Sequence, residues 1–312
     1  MRKILVTAIG GDVGNGILKI LSKGSDEIYG CDINDYPIGM DKVKSYWKSD
    51  LAVSHQYIDN LLIKCKQFEI SHLIPVNEME IIKVSEHKEV FKQHNIQIII
   101  QDSNVLNICL DKLKTMKFLE KHMTANVPYT YTYDNFVENG EKHIVKLRNS
   151  CGSKYLQYIT EKRELDQIPY YKDEYIIQQY LKDDNEEYTI GVFSNGYDVR
   201  TIIFKRKLEH GHTSFVELTY NAELQQMAIE VANFIGLKGY INIQSRKFND
   251  SYKIFEINPR ISGTVYFRYL LGFDDVTWWL NLVDNKKIPE YMPIYKKAIG
   301  IRELSEKFVI ME

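Results

Sequence analysis

The segment FEINPRISGT, residues 255–264, places chemically useful side chains at a regular spacing. Glu256, Asn258 and Arg260 stand at every second position among mostly apolar neighbours. Side chains two residues apart on a β-strand point to the same side, so Glu256 and Asn258 are expected to project together, with Arg260 just past the strand end. A glutamate on a buried strand needs a partner or a metal, although a sheet with one hydrated face would show the same alternation.

A neighbouring strand adds a third polar group to this face. Residues 239–245 and 252–258 read as a hairpin. If its loop is residues 249–251, Gln244 lies directly opposite Glu256 on the same face, whereas a two-residue loop would shift the register and separate them. With the longer loop, the oxygens of Gln244, Glu256 and Asn258 form a cluster of the kind that Mg²⁺ prefers when it is shared with substrate phosphates. The hairpin therefore predicts a magnesium and nucleotide site.

Composition excludes several classes of protein. The chain has 312 residues, of which 44% are hydrophobic and 26% charged, which predicts a globular protein with two or three hydrophobic cores. Its net charge of -2 is too small to create an electrostatic field that would attract nucleic acid or an anionic membrane surface. Its four cysteines lack the spacing of a zinc ribbon or a disulfide framework. No stretch has the roughly eighteen apolar residues of a membrane span, and the N-terminal apolar run is too short for a signal peptide. We expect a cytoplasmic protein.

The order of elements predicts more than one type of domain. Strands alternate with helices and Gly-rich turns over roughly the first hundred residues, which is typical of a parallel, doubly wound sheet. Residues 107–122 read as one helix with Asp111 near its start, and shorter β-rich pieces of antiparallel α+β character follow. A further helix is predicted over 222–235, with Leu224, Met227, Ala228, Val231, Phe234 and Ile235 on its buried face.

Several of these segments, in this order, resemble the ATP-grasp superfamily. They are the Asp111–Lys112 helix, the loop VKLRNSCGSK, and NIQ followed by FEINPR; the start ILVTAIGGDVGNGI resembles that of the family's N-terminal domain. The similarity is to carboxylate–amine ligases related to the large subunit of carbamoyl-phosphate synthase. It implies a Rossmann-like α/β pre-ATP-grasp domain at 1–108 and an α+β ATP-grasp module of two subdomains, a nucleotide lid at 109–180 and a magnesium- and substrate-binding part at 181–312.

The resemblance also implies roles for individual residues. Lys112 and Lys146 would contact phosphates, loop 148–154 would close over the triphosphate, and Arg260 would be the catalytic residue facing the γ-phosphate or an acyl phosphate. The ATP-binding set would be Lys112, Lys146, Ser153, Lys154, the hinge residues Gln178, Gln179, Tyr180 and Leu181, and Glu187 beside the ribose. Gln244, Glu256 and Asn258 would hold one or two Mg²⁺ ions, for which Mn²⁺ could substitute.

The implied activity is ATP-dependent ligation of a small carboxylate to an amine through an acyl phosphate. The residues after Arg260 read ISGT, where carbamoyl-phosphate synthases have another arginine near Gly263, so an amino-acid-ligase-like member is favoured. The expected partners are small-molecule substrates, with neither nucleic acid nor membrane, and a homodimer is the commonest default.

Two other functions stay open. Gly10, Gly14 and Gly16 with Asp32 could belong to a nicotinamide-dependent reductase or sugar epimerase, for which Tyr158 and Lys162 offer a YxxxK pair. That pair requires one helix, whereas its segment reads as a strand that turns into a loop. The other alternative is a non-catalytic ATP-binding regulatory protein, since fold alone does not guarantee activity. The joint presence of the lysine, arginine and metal-ligand candidates favours the enzyme.

Overall fold

The computed structural model describes residues 1–149, 155–182, 186–209 and 211–303, and the chain forms two compact units. The first unit contains Met1–Gln101, Arg260–Lys296 and the chain from Gly300 onward. The second unit contains Asp102–Pro259 and Lys297–Ile299. The predicted three-part division at residues 108 and 180 stays a prediction.

The first unit is built on a five-stranded sheet in which every neighbouring pair is parallel, in the order β3-β2-β1-β4-β5. Its strands are β1 (Lys3–Val6), β2 (Glu27–Asp32), β3 (Ser45–Lys48), β4 (His72–Ile74) and β5 (Gln97–Ile98). The helices among them are α1 (Asp12–Leu21), α2 (Tyr57–Gln67), α3 (Glu78–Glu86) and α4 (Lys88–Gln93). Apolar side chains of α2, α3 and α4 share one core with those of the sheet. The predicted parallel sheet is confirmed.

Atoms of the protein itself pack closely against the glycines that follow β1. A Cβ on Gly14 would lie 2.4 Å from the carbonyl oxygen of Ala8, and one on Gly16 would lie 2.5 Å from a Val265 methyl group. The backbone N–H of Gly10 donates to the Asp32 carboxylate at 2.8 Å. These glycines therefore allow close packing within the unit.

The second unit begins with two helices, where the sequence predicted one. Helix α5 (Ser103–Cys109) ends before Asp111, and α6 (Lys112–Met123) begins after it. The Asp111 side chain accepts the N–H groups of Leu113 and Lys114 and so caps α6. The single-helix prediction was wrong because Asp111 serves as a cap between two helices.

Two antiparallel sheets follow in the second unit. The first has the order β6-β9-β7-β8 and its own apolar core. Its strands are β6 (Thr130–Tyr131), β7 (His143–Leu147), β8 (Leu156–Ile159) and β9 (Tyr175–Gln179). The second sheet has the order β14-β13-β10-β11-β12-β15. Its strands are β10 (Glu187–Asn195), β11 (Val199–Glu209), β12 (His212–Thr219), β13 (Lys238–Phe248), β14 (Ser251–Asn258) and β15 (Ile299–Ile301), of which only Ile299 in β15 is counted in the second unit.

Helix α7 (Ala222–Phe234) packs on the larger sheet. Leu224, Met227, Ala228 and Val231 are buried as predicted and share a core with residues of β10, β13 and β14. Phe234 was wrongly placed on the buried face: it is 43% exposed, and its ring stacks on His122.

The chain then returns to the first unit with α8 (Val265–Leu270) and α9 (Asp275–Val283). Trp278 and Trp279 of α9 are buried. Among the described residues, no helix combines the length and the hydropathy needed to cross a membrane.

Candidate functional site

The β13–β14 hairpin brings the three predicted metal ligands onto one face. Gln244 lies directly opposite Glu256, and Asn258 follows two residues later on the same strand. The reason differs from the one predicted, because Phe248 pairs with Ser251 and leaves a two-residue turn in which Asn249 has a φ of +53°. A β-bulge at Phe255 inserts one extra residue, which restores the register that the shorter turn would have lost.

The oxygen atoms on this face suit a hard divalent cation. Glu256 supplies a carboxylate, while Gln244 and Asn258 supply amide oxygens. Next to them, Asn242 pairs with Asn258 across the strands and accepts a hydrogen bond from the Thr189 hydroxyl at 2.8 Å. In the part of the chain that the structure describes, no group of three or more His, Cys, Asp or Glu side chains could hold a metal. A cation on this face would therefore depend on the amides as well as on Glu256.

Lys146, on β7, is close to this polar face. Its Nζ donates to Oε1 of Gln178 at 2.8 Å and lies 5.0 Å from the centre of the Phe255 ring. Burial lowers the pKa of Lys146 to about 8; Glu256 opposes this effect, whereas the charges of Lys112 and Arg246 add to it. A lysine with this pKa is charged at neutral pH and gains from an anionic ligand.

Glu187, on β10, is held between two arginines of neighbouring strands. Oε1 accepts from Nε of Arg206 at 2.8 Å, and Oε2 accepts from Nη2 of Arg246 at 2.7 Å. Burial alone would raise the pKa of Glu187, but the two guanidinium groups hold it below its ordinary value. Arg206 also donates through Nη2 to Oε1 of Gln244 at 3.0 Å, which connects Glu187 to the predicted metal ligands.

The predicted hinge residues connect the two sheets of the second unit. Gln178 and Gln179 end β9, and the N–H of Gln179 donates to the carbonyl of Tyr129 at 2.8 Å. The N–H of Tyr180 donates to the carbonyl of Lys142 at 3.2 Å. The Leu181 carbonyl accepts from Nη1 of Arg246 at 3.3 Å. Arg246 thereby ties the hinge to the larger sheet.

Lys112 is the first residue of α6, and its N–H donates to the carbonyl of Arg148 at 3.1 Å. Arg148 in turn pairs with Asp111, the cap of that helix. The beginning of the predicted loop 148–154 is thus fixed to the start of α6. Ser153 and Lys154 of this loop lie outside the described residues.

Arg260 lies in the first unit, two residues after β14. Its Nε donates to Oε1 of Glu78 at 3.0 Å, and its Nη1 donates to the carbonyl of Ile261. The catalytic role assigned to Arg260 stays a prediction.

Sequence reasoning missed Arg206 and Arg246. Arg246 continues the alternation of Asn242 and Gln244 along β13, so the same period-2 pattern could have revealed it. Arg206 carries no such signal, because its place opposite Glu187 depends on the pairing of β10 with β11. Both arginines belong to the same polar face as the predicted ligands.

Residues 172–307 match a family model described as "ATP-grasp in the biosynthetic pathway with Ter operon". This match shows that the C-terminal part of the chain is similar to the ATP-grasp family. Among curated proteins, none is a significant sequence match. The ATP-grasp fold assigned from the sequence is confirmed by solved structures that are similar over nearly the whole chain.

Three of these structures illustrate the likeness. Biotin carboxylase from Campylobacter jejuni has a TM-score of 0.72 at 14% identity, and the similar region covers 93% of this chain and 72% of the biotin carboxylase chain. N5-carboxyaminoimidazole synthetase from Staphylococcus aureus, complexed with ADP, has a TM-score of 0.74 at 14% identity, with coverages of 97% and 82%. L-amino acid ligase from Bacillus licheniformis has a TM-score of 0.70 at 15% identity, with coverages of 91% and 74%.

Proposed function

We propose that this protein, which has the ATP-grasp fold, is an ATP-dependent ligase that joins a small carboxylate to an amine. A carboxylate oxygen attacks the γ-phosphorus of ATP, the bond to the β–γ bridging oxygen breaks, and ADP leaves. The amine then attacks the acyl carbon, loses a proton and displaces phosphate, which gives an amide. Enzymes accelerate such transfers mainly by positioning the reactants and neutralising charge, and the chain offers side chains for both tasks.

The observation that carries this proposal is the charge balance of the polar face. Three cations, Lys146, Arg206 and Arg246, interact with two carboxylates, Glu187 and Glu256, and Lys112 adds a fourth positive charge close enough to lower the pKa of Lys146. These six side chains leave an excess of two positive charges, and Mg-ATP carries about two net negative charges. The face is therefore complementary in charge to the proposed nucleotide.

We propose for individual residues the roles that the resemblance to the ATP-grasp family implies. Lys112 and Lys146 bind phosphate oxygens, and the backbone of residues 178–181 with Glu187 binds the nucleoside. Gln244, Glu256 and Asn258 hold magnesium, which when bound neutralises charge on the transferred phosphoryl group. Arg260 is the proposed contact to that phosphoryl group, and Ser153 and Lys154 are proposed phosphate contacts.

We propose an amino acid or a similar small carboxylate as the first substrate. The names of similar structures support ligation chemistry: one is an L-amino acid ligase and another an N5-carboxyaminoimidazole synthetase. The ISGT segment after Arg260, without a second arginine, is the sequence feature that favours the amino-acid type.

The nicotinamide-dependent alternative has less support. The Asp32 carboxylate, which would bind a ribose, already accepts the N–H groups of Gly10 and Asn34. Tyr158 lies on β8, and Lys162 begins a separate 3-10 turn, so this pair does not share one helix. The regulatory alternative shares the nucleotide site, and it differs from the ligase in predicting no release of phosphate from ATP.

Thermal unfolding with Mg-ATP, Mg-ADP, NAD or NADP tests the nucleotide site. A ligand present at a hundred times its Kd adds about 2.7 kcal/mol to the free energy of unfolding. We expect Mg-ATP and Mg-ADP to raise the melting temperature, and Glu256→Gln to lose most of the increase while keeping its melting temperature without ligand.

Glu217→Gln is the matched control, because Glu217 is an exposed carboxylate on β12 of the same sheet. This variant should respond to Mg-ATP as the wild type does. An increase with NAD or NADP alone would overturn the ligase proposal. If Mg-ATP stabilises the protein, release of phosphate with panels of acids and amines separates the ligase from the regulatory protein.

A further inference from the structure

Arg206 occupies an unusual place for a residue beside a magnesium site. Its guanidinium group donates through Nη2 to Oε1 of Gln244 at 3.0 Å and through Nε to Oε1 of Glu187 at 2.8 Å. The side chain is only 10% exposed, so water screens its charge poorly. The oxygen that Gln244 would offer to a metal thus already accepts a hydrogen bond from a cation.

A divalent ion on Gln244 would lie close to this positive charge. Two like charges a few ångströms apart repel each other strongly when they are partly buried. Lys146 adds a further positive charge near Glu256, because the two groups interact electrostatically. The two carboxylates Glu187 and Glu256 together do not offset the three cations Lys146, Arg206 and Arg246, whereas a triphosphate would supply the missing negative charge.

We propose that Arg206 makes divalent-metal binding at Gln244, Glu256 and Asn258 conditional on the nucleotide. Without a triphosphate, the guanidinium group engages Gln244 and repels the metal. With a triphosphate, the phosphate charge offsets the guanidinium group, and the metal enters as the nucleotide complex. This inference rests on the proposed function and adds a positioning role for Arg206, which keeps free metal out of the site.

The affinity for Mn²⁺ in the absence of nucleotide tests the proposal without any turnover. Electron paramagnetic resonance measures it through the signal of the free Mn²⁺ ion. We expect Arg206→Met to bind Mn²⁺ in the absence of nucleotide at least about tenfold more tightly than the wild type, because one like charge is removed. Arg206→Lys, which keeps the charge, should remain close to the wild type.

Three further variants locate the effect. Arg200→Met is the matched control, since Arg200 is a buried arginine six residues, or about 20 Å, away along the same strand. It should leave Mn²⁺ binding unchanged. The double variant Arg206→Met with Glu256→Gln should lose the tighter binding, which assigns it to the predicted ligands. The double variant Arg206→Met with Glu187→Gln should retain the tighter Mn²⁺ binding, because the guanidinium group is still absent from Gln244. It also shows that the tighter binding does not come from the carboxylate of Glu187 that Arg206→Met leaves without its partner.

Equal Mn²⁺ affinity of Arg206→Met and the wild type would overturn the inference, as would tighter binding that disappears with Glu187→Gln. Thermal unfolding of the same wild-type sample with Mg-ATP keeps the two proposals apart. Stabilisation by Mg-ATP with unchanged Mn²⁺ affinities means that only the role of Arg206 is wrong. Absence of stabilisation means that the nucleotide site itself is wrong.

Discussion

Replacing Asp275 by alanine is expected to lower the free energy of unfolding of the first unit by about 3–5 kcal/mol. Asp275 and Arg268 are both 0% exposed, and Arg268 donates to the two carboxylate oxygens through Nε at 3.2 Å and Nη2 at 2.8 Å. Its Nη1 binds the hydroxyl groups of Ser262 and Thr264. Loss of the carboxylate would remove the counter-charge that contacts this buried guanidinium group.

Intrinsic fluorescence in urea measures this loss directly. All three tryptophans, Trp47, Trp278 and Trp279, belong to the first unit, so their emission reports on its unfolding. Asp35→Ala is the control, because it breaks the exposed ion pair with Lys48 in the same unit and should cost less than about 1 kcal/mol.

The double replacement of Arg268 by methionine and Asp275 by leucine should recover most of the lost stability, because neither charge is then left alone in the core. Equal losses of unfolding free energy in Asp275→Ala and Asp35→Ala would show that the buried ion pair contributes no more to stability than the exposed one. Such a result would contradict the prediction.

The affinity for Mg-ATP is expected to fall about twentyfold between roughly pH 7.5 and roughly pH 9.5. The pKa of Lys146 is lowered to about 8, so its ammonium group is largely charged at the lower pH and largely neutral at the higher one. A triphosphate binds the charged form. Affinity is therefore highest below the pKa and decreases as the proton is lost.

Titration calorimetry across this range measures the effect, and two variants assign it to Lys146. Lys146→Arg keeps its charge throughout and should show little dependence on pH. Gln178→Glu places a carboxylate where the amide oxygen now accepts from Lys146 at 2.8 Å, which should raise the pKa of Lys146 and move the loss of affinity to higher pH. A wild-type slope in both variants would assign the titration to another group.

Features encoded by local patterns could be predicted from the sequence. The parallel sheet of the first unit follows from the succession of strands and helices, and most of the buried face of α7 follows from helical spacing over a few residues. The proximity of Gln244 and Glu256 was also predicted, but the bulge at Phe255 that produces it has no sequence signature within the hairpin. A bulge depends on how the strand fits its neighbours, and a single segment does not contain that information.

Features that depend on distant parts of the chain could not be predicted in the same way. Arg206 lies nineteen positions from Glu187 and thirty-eight from Gln244, and only strand pairing brings the three together. Asp111 was placed near the start of a helix, but its bond with Arg148, thirty-seven positions later, was not foreseen. Such contacts arise from topology, which local propensity does not determine.

The discontinuous first unit has a consequence for the order in which the chain folds. Residues 102–259 all leave the ribosome before residues 260–296, on which the first unit depends. The contact of Gly16 with Val265, and the hydrogen bonds of Arg2 with Asn281 and Asp284, can form only after these later residues have been synthesised. The second unit can therefore fold during synthesis, while β1 and α1 still lack the packing partners that residues 260–296 supply. Contacts of such long sequence separation form slowly, so this N-terminal segment is where folding should finish last.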